Sequence, residues 1–131
     1  MENVKDFMNR MHRQLGNNYR SLDGKYSESC LLVAAELAKR LFKEGTRASI
    51  CFVSGPPLDK FNKGSIFPKR YARRVEWAAH VFAVAGERVF DPMVSAEPVP
   101  REDYRALAFD ECSEIKTYIP SDRIEEFLAR N

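Results

Sequence analysis

The sequence predicts an α+β domain in which a helix packs on an antiparallel β-sheet. Three observations predict this fold class: a helical apolar pattern from Cys30 to Phe42, a short apolar run from Ala48 to Ser54, and two apolar runs joined near Gly86. Apolar residues three and four positions apart line one face of a helix, whereas short apolar runs bounded by turn residues are typical of buried strands. We therefore expect a mixed architecture.

The first two helices are predicted from apolar spacing and from end signals. The first has these apolar residues at helical spacing: Val4, Phe7, Met8, Met11 and Leu15. Gly16, followed by two asparagines, predicts its end. The second helix is expected to begin at an N-cap serine, Ser27 or Ser29, and to end near Gly45. Its sheet-facing stripe, continued by Cys30 at the N-terminal end, comprises Val33, Ala34, Leu37, Ala38, Leu41 and Phe42.

The strands follow the second helix. Residues 48–54 predict a buried strand that ends at the Gly-Pro-Pro of residues 55–57. Residues 58–74 mix glycine, proline, aromatic and six basic residues, which predicts a surface loop that borders the substrate cleft. Residues 75–84 and 88–90 then form the arms of a predicted β-hairpin.

The C-terminal third of the chain is predicted to alternate between turn, helix and strand. A proline-bounded turn spans residues 92–100, and a short helix follows near residues 101–108. A strand is expected near residues 114–119, and a last helix starts at an N-cap, Ser121.

Length and composition indicate one domain over residues 1–131, since 131 residues with 44% hydrophobic content can bury one core. A net charge of +2 with 31% charged residues gives no reason to expect a nucleic acid or membrane partner. The N-terminus lacks the apolar core of a signal peptide, so we expect a cytoplasmic protein, or an effector secreted without one. Cys30, Cys51 and Cys112 are widely spaced, which predicts neither disulfides nor a metal site.

The hairpin places His80 and Asp91 together. A two-residue loop at Gly86 and Glu87 pairs position 84 with 89 and 83 with 90, so that Asp91 faces Phe82. Side chains alternate along strands, and His80 is then the diagonal neighbour of Asp91, about 7–8 Å away between backbones. An imidazole and a carboxylate can span that gap. Asp91 is therefore predicted to orient His80, provided that this register holds.

Cys30 is the predicted nucleophile. A helix N-terminus presents free N–H groups and partial positive charge, which favour the thiolate and can stabilise an oxyanion. Asn18 and Trp77 are further candidates for contacting the substrate. Taken alone, a cysteine on an apolar stripe is more often a small core residue, and a single histidine on a strand is more often structural. The combination of Cys30, His80 and an orienting acid favours catalysis.

The other polar residues favour plainer interpretations. Cys51 and Cys112 are expected to be structural, and His12 is expected to be an exposed polar residue of the first helix. The basic cluster is interpreted as a solvated face: Lys69, Arg70, Arg73 and Arg74.

The order of these parts resembles a known superfamily. The stretch from SCLLVAAELAKRLF to AAHVFAVAGERVFDPM, about residues 27–95, is similar to the core of transglutaminase-like and papain-like cysteine enzymes. The tail DPMVSAEPVPREDYRALAF resembles papain-fold domains of bacterial toxins and effectors, and the short spacing between base and acid is similar to the leader peptidases of lasso-peptide biosynthesis. The resemblance implies Cys30 as nucleophile, His80 as base and Asp91 as orienting acid.

The function implied is that of a cysteine-dependent amide hydrolase or acyltransferase that works through a thioester. A toxin- or effector-type protein-glutamine deamidase or peptidase is the first expectation. The alternatives are a leader peptidase of peptide natural-product maturation and a non-catalytic protein-binding module on the same fold. The expected partners are a protein or peptide substrate and a cognate immunity or regulatory protein. Thiol chemistry needs no cofactor, and no acidic cluster in the sequence indicates calcium.

Overall fold

The computed structural model describes the backbone of residues 2–22, 26–54, 59–60, 66–70, 79–110 and 115–120. Side chains are described for the same ranges except residues 16–22, 26–29 and 115–120. In chain order the elements are α1 (Val4–Leu22), α2 (Tyr26–Lys43), β1 (Ser49–Ser54), β2 (Ala79–Ala85), β3 (Arg88–Phe90), β4 (Val99–Pro100), α3 (Arg101–Ala108) and β5 (Ile115–Pro120).

The five strands form one antiparallel sheet in the order β4-β3-β2-β1-β5. β2 pairs with β1 over its first six residues, and with β3 through the hairpin. It is therefore an interior strand, and its residues from His80 to Ala85 are all buried. The α+β class and the antiparallel sheet are as predicted.

The hairpin has the predicted register, with Ala83 opposite Phe90, Val84 opposite Val89 and Ala85 opposite Arg88. Gly86 has a φ of +60°, in the left-handed region that glycine adopts at little cost. The two-residue turn thus fixes which residues of β2 and β3 face each other.

The first helix is longer than predicted, because α1 continues to Leu22. The predicted end at Gly16 is wrong. A glycine inside a helix costs only about 1 kcal/mol relative to alanine, and asparagine costs less. Tyr19 and Leu22 also extend the apolar spacing of Leu15 in the sequence.

The second helix begins earlier than predicted, at Tyr26, so that Ser27 and Ser29 lie within it and neither is its N-cap. Serine costs well under 1 kcal/mol inside a helix, so it does not force a boundary. The end near Gly45 is confirmed: Gly45 has a φ of +89°, and the Thr46 N–H donates to the Leu41 carbonyl at 2.8 Å.

The buried face of α2 packs mainly on β2. Its buried apolar residues are Cys30, Ala34, Ala35, Leu37, Ala38 and Leu41. The prediction that Phe42 belongs to this face is wrong, since its side chain is 58% exposed. Phe42 lies five positions after Leu37, and a rotation of 3.6 residues per turn carries it past the edge of the apolar stripe.

The segment of residues 58–74, predicted to be a surface loop, is partly buried. In its described parts, Ile66 is fully buried and Pro68 bridges to Phe109 in antiparallel fashion.

α3 and β5 lie within one residue of their predicted positions, whereas the helix predicted after Ser121 falls outside the described residues. In the part of the chain that the structure describes, no helix has both the length and the apolarity needed to cross a bilayer.

Leu37→Ala should destabilise the protein by about 2–5 kcal/mol, because Leu37 is fully buried between helix and sheet and its truncation leaves a cavity. Leu32→Ala is the matched control on the same helix. Leu32 is 62% exposed, and its loss should change the free energy of unfolding by less than about 0.5 kcal/mol. Urea denaturation of both variants measures the difference, and equal losses would contradict the assigned orientation of α2.

Candidate functional site

His80 and Asp91 form a buried hydrogen-bonded pair. His80 is the second residue of β2 and Asp91 directly follows β3, so the hairpin brings them side by side. The His80 Nε2 atom lies 2.8 Å from Asp91 Oδ2, and the two residues are 1% and 4% exposed. The predicted diagonal placement is therefore what the structure shows.

Three donors hold the Asp91 carboxylate. Oδ2 accepts from His80 Nε2 and, at 2.5 Å, from the Tyr104 hydroxyl. Oδ1 accepts from the Met93 N–H at 3.0 Å. A carboxylate with donors in three directions is fixed in orientation, so the imidazole bound to it is fixed as well.

Tyr104 is the site residue that sequence reasoning missed. It is fully buried on α3, and its ring packs against Phe82 with centroids 4.3 Å apart. Phe109 approaches the His80 ring edge-on at 5.8 Å. One signal was available: Tyr104 and Ala108 are four apart on a short, otherwise polar helix, and a buried tyrosine hydroxyl needs a partner.

Cys30 completes the group from the helix side. Its thiol lies beside the His80 ring, near enough to raise the pKa of the imidazole. Asp91 occupies Nε2, which leaves Nδ1 as the ring nitrogen that can exchange a proton with sulfur. The structure thus brings together Cys30, His80 and Asp91, the three residues predicted to act together.

The position of Cys30 in its helix differs from expectation. Because α2 begins at Tyr26, Cys30 is its fifth residue, and its amide belongs to the helical hydrogen-bond ladder. The free N–H groups and the strongest part of the helix dipole lie within the first turn. His80, rather than the amide of Cys30, is therefore the polar partner of the thiol.

The charge state of His80 reflects competing effects. Burial alone lowers the pKa of the imidazole, since a buried cation loses hydration. The negative charge of Asp91, the neighbouring Cys30 and the hydrogen bond between the ring and Asp91 outweigh burial and raise the pKa of His80 to about 10. His80 is consequently an imidazolium near neutral pH, paired with the Asp91 carboxylate.

The site is closed in this structure. Cys30 is only 2% exposed. A gap beside it has no room for a water molecule and is lined by Cys30, Val33, Ala34, Leu37, Val81, Phe82, Phe90, Asp91, Pro92 and Met93. A substrate amide can reach the sulfur only when the chain around this gap moves.

The structure describes only some of the other residues that the sequence analysis singled out. Trp77 and Cys112 lie outside the described residues, as does the side chain of Asn18. Cys51 is fully buried in β1, as expected of a structural cysteine. The prediction for His12 is wrong: its ring is half-buried and lies 2.7 Å from the Pro92 carbonyl. Within the described ranges, no group of three or more histidine, cysteine, aspartate or glutamate side chains is placed to hold a metal ion.

Comparison with known proteins supports the fold. The NMR structure of protein-glutaminase from Chryseobacterium proteolyticum matches with a TM-score of 0.50 at 18% identity, covering 86% of this chain and 68% of that chain. A crystal structure of protein-glutaminase matches over the same shares with a TM-score of 0.45, also at 18% identity. No family model and no curated protein matches the chain. The first likeness supports the α+β fold, and the antiparallel sheet is consistent with the papain-like fold predicted from the sequence.

Asp91→Asn should lower the pKa of His80 well below 10, because it removes the negative charge that contributes most to the upward shift. Cys30→Ala should shift the pKa of His80 in the same direction, because it removes the second side chain that raises this pKa. Asp103→Asn, at an exposed position on α3, should leave the pKa unchanged. NMR titration of the imidazole nitrogens measures all three variants. A His80 that titrates near its ordinary value in the wild-type protein would contradict the paired imidazolium.

Tyr104→Phe should reduce the free energy of unfolding by about 1.5–3 kcal/mol, because the hydroxyl donates to a charged, buried carboxylate. In an Asp91→Asn background, Tyr104→Phe should reduce the free energy of unfolding by less, since the acceptor is then neutral. Chemical denaturation of the wild-type protein, the two single variants and the double variant gives the coupling energy between the two side chains. Equal losses in both backgrounds would show that the hydroxyl acts independently of Asp91.

Proposed function

We propose that this protein is a cysteine-dependent amide hydrolase that deamidates glutamine side chains of proteins. The proposal rests on one observation above all, the grouping of the Cys30 thiol, the His80 ring and the Asp91 carboxylate, with His80 Nε2 hydrogen-bonded to Asp91 Oδ2. Cysteine, imidazole and carboxylate in that order are the parts that thioester chemistry requires. The likeness of fold to protein-glutaminase, whose name states its activity, supports glutamine as the substrate side chain.

The acylation step follows from the ion pair. The Cys30 thiolate attacks the carboxamide carbon, a C–S bond forms, and the carbonyl oxygen becomes an oxyanion. When the oxyanion collapses, the C–N bond breaks and the His80 imidazolium gives its proton to nitrogen, so that ammonia leaves. The thioester of the glutamate side chain and a neutral His80 remain.

Hydrolysis reverses the roles of His80. The neutral ring takes a proton from water, and the resulting hydroxide attacks the thioester carbon. The second oxyanion collapses with cleavage of the C–S bond, which releases the side-chain acid and restores thiolate and imidazolium. Asp91 keeps the ring in one orientation throughout, because its three donors fix the carboxylate.

The closed site favours a side-chain amide over a peptide bond. Cys30 lines an apolar gap together with other residues of α2 and of the turn after Asp91. A glutamine side chain ends in its carboxamide, so only that one side chain has to enter the site when the gap opens. A peptide bond has chain on both sides and needs an open cleft. The same catalytic group would serve a peptidase, including a leader peptidase, only if a cleft opened along the length of the site.

Wild-type protein incubated with a glutamine-rich protein such as casein should release ammonia and convert glutamine to glutamate without chain cleavage. Cys30→Ala should abolish ammonia release, because the variant lacks the sulfur on which the proposed thioester forms. Cys51→Ala is the control, since Cys51 lies in the core of β1. An ammonia assay and mass spectrometry of the substrate give the two readouts. Shortened substrate chains without ammonia would identify a peptidase, and neither change would favour a binding module.

A further inference from the structure

Arg70 belongs to the basic segment that the sequence placed on a solvated face, yet its guanidinium points inward between two elements. Nη1 donates to the carbonyls of Pro92 and Met93, at 2.9 and 3.2 Å. Nη2 donates to the carbonyl of His12 on α1, at 2.6 Å. One side chain therefore ties the first helix to the turn that directly follows Asp91.

His12 reinforces the same contact. Its Nδ1 lies 2.7 Å from the Pro92 carbonyl. Arg70 Nη1 lies 2.8 Å from the same ring nitrogen. Nδ1 donates to the Pro92 carbonyl when it carries the proton and accepts from Arg70 when it does not, so either tautomer of His12 places the ring at this contact. We call Arg70, His12 and the carbonyls of residues 92–93 the Arg70 clasp.

The Arg70 clasp holds the peptide groups that orient the Asp91 carboxylate. Within the turn, the N–H groups of Val94 and Ser95 both donate to the Asp91 carbonyl at 3.0 Å. The Met93 N–H donates to the Asp91 side chain. Arg70 binds the carbonyls of Pro92 and Met93, which belong to the same peptide groups as the N–H groups of Met93 and Val94. A shift of the peptide groups of residues 92–93 would therefore move the Met93 N–H away from the carboxylate.

We propose that Arg70 is a positioning residue that keeps the Asp91 carboxylate aligned with His80 by clasping the backbone of Pro92 and Met93. The inference rests on the proposed function, in which Asp91 orients the general base. A guanidinium suits this role, because its planar fork can donate in two directions at once, whereas an ammonium acts as a point charge. The hydrogen bonds of Arg70 reach the backbone of residues 92–93, whose Met93 N–H donates to the Asp91 carboxylate, so its effect passes through Asp91.

The first test is spectroscopic and needs no substrate. In wild-type protein the His80 Nε2–H donates to Asp91 and should give a downfield proton resonance protected from exchange. Arg70→Met keeps the aliphatic stem but removes the donors, and should weaken or abolish that resonance. Arg13→Met removes an exposed arginine beside His12 on the same helix and should leave the resonance unchanged. An unchanged resonance in folded Arg70→Met protein would overturn the inference.

The second test is kinetic. Arg70→Met should lower kcat for ammonia release by about 10- to 100-fold, the loss expected of a misplaced catalytic group, with KM nearly unchanged. In an Asp91→Asn background the same substitution should cause no further loss, since it acts through that carboxylate. Equal losses in both backgrounds, or a rise in KM alone, would overturn the inference.

Arg70→Lys decides the matter if Arg70→Met does not fold. The lysine keeps the charge but cannot span both acceptor groups, so kcat and the His80 resonance should both be reduced. If kcat and the His80 resonance of Arg70→Lys equal those of the wild-type protein, the inference that the guanidinium of Arg70 is needed is overturned. The two hypotheses also fail separately: a wild-type protein that releases no ammonia refutes the proposed function, whereas the His80 resonance still reports on the Arg70 clasp.

Discussion

The antiparallel register of β2 and β3 is the constraint on which the site depends. Gly86 allows a two-residue turn, and that turn leaves one pairing in which His80 and Asp91 lie on the same face. A slip of one residue would move Asp91 to the opposite face. It would also turn Val89 of β3, which is now buried, to the opposite face of the sheet, so the free energy of core burial protects the alignment of His80 with Asp91.

A buried ion pair is stable only if every charged atom has a partner, because the interior offers no water to replace hydration. Here the partners come from separate parts of the chain. Cys30 is supplied by α2, Tyr104 by α3 and Met93 by the turn after β3. The contacts of His80 and Asp91 and the packing of the fold are consequently not independent, since loosening any of these elements removes a partner of the buried pair.

Local patterns predicted much of this arrangement. Alternation along strands and the turn at Gly86 were sufficient for the hairpin and the contact between His80 and Asp91. End signals were weaker guides: Gly16 did not end α1, and Ser27 and Ser29 did not begin α2. Such residues shift helix stability by about 1 kcal/mol or less, which extended apolar spacing readily exceeds.

The contacts of Tyr104 and Arg70 could not have been predicted from local patterns. Tyr104 lies on a helix that begins ten residues after Asp91, and Arg70 in a segment without periodicity. Both act through tertiary contacts, which depend on how α1 and α3 pack against the sheet. A cluster of basic residues in sequence looks solvated whether or not one of them turns inward, so charge alone did not distinguish Arg70 from its neighbours.

The burial of Cys30 has a chemical consequence beyond substrate access. A thiolate is the form of cysteine most readily oxidised, and peroxide converts an exposed thiolate first to a sulfenic acid and then irreversibly to higher acids. With 2% of its surface exposed, Cys30 is shielded from such oxidants while the site is closed. The same closure that keeps other molecules from Cys30 therefore protects its sulfur, which meets solvent only for as long as the gap is open.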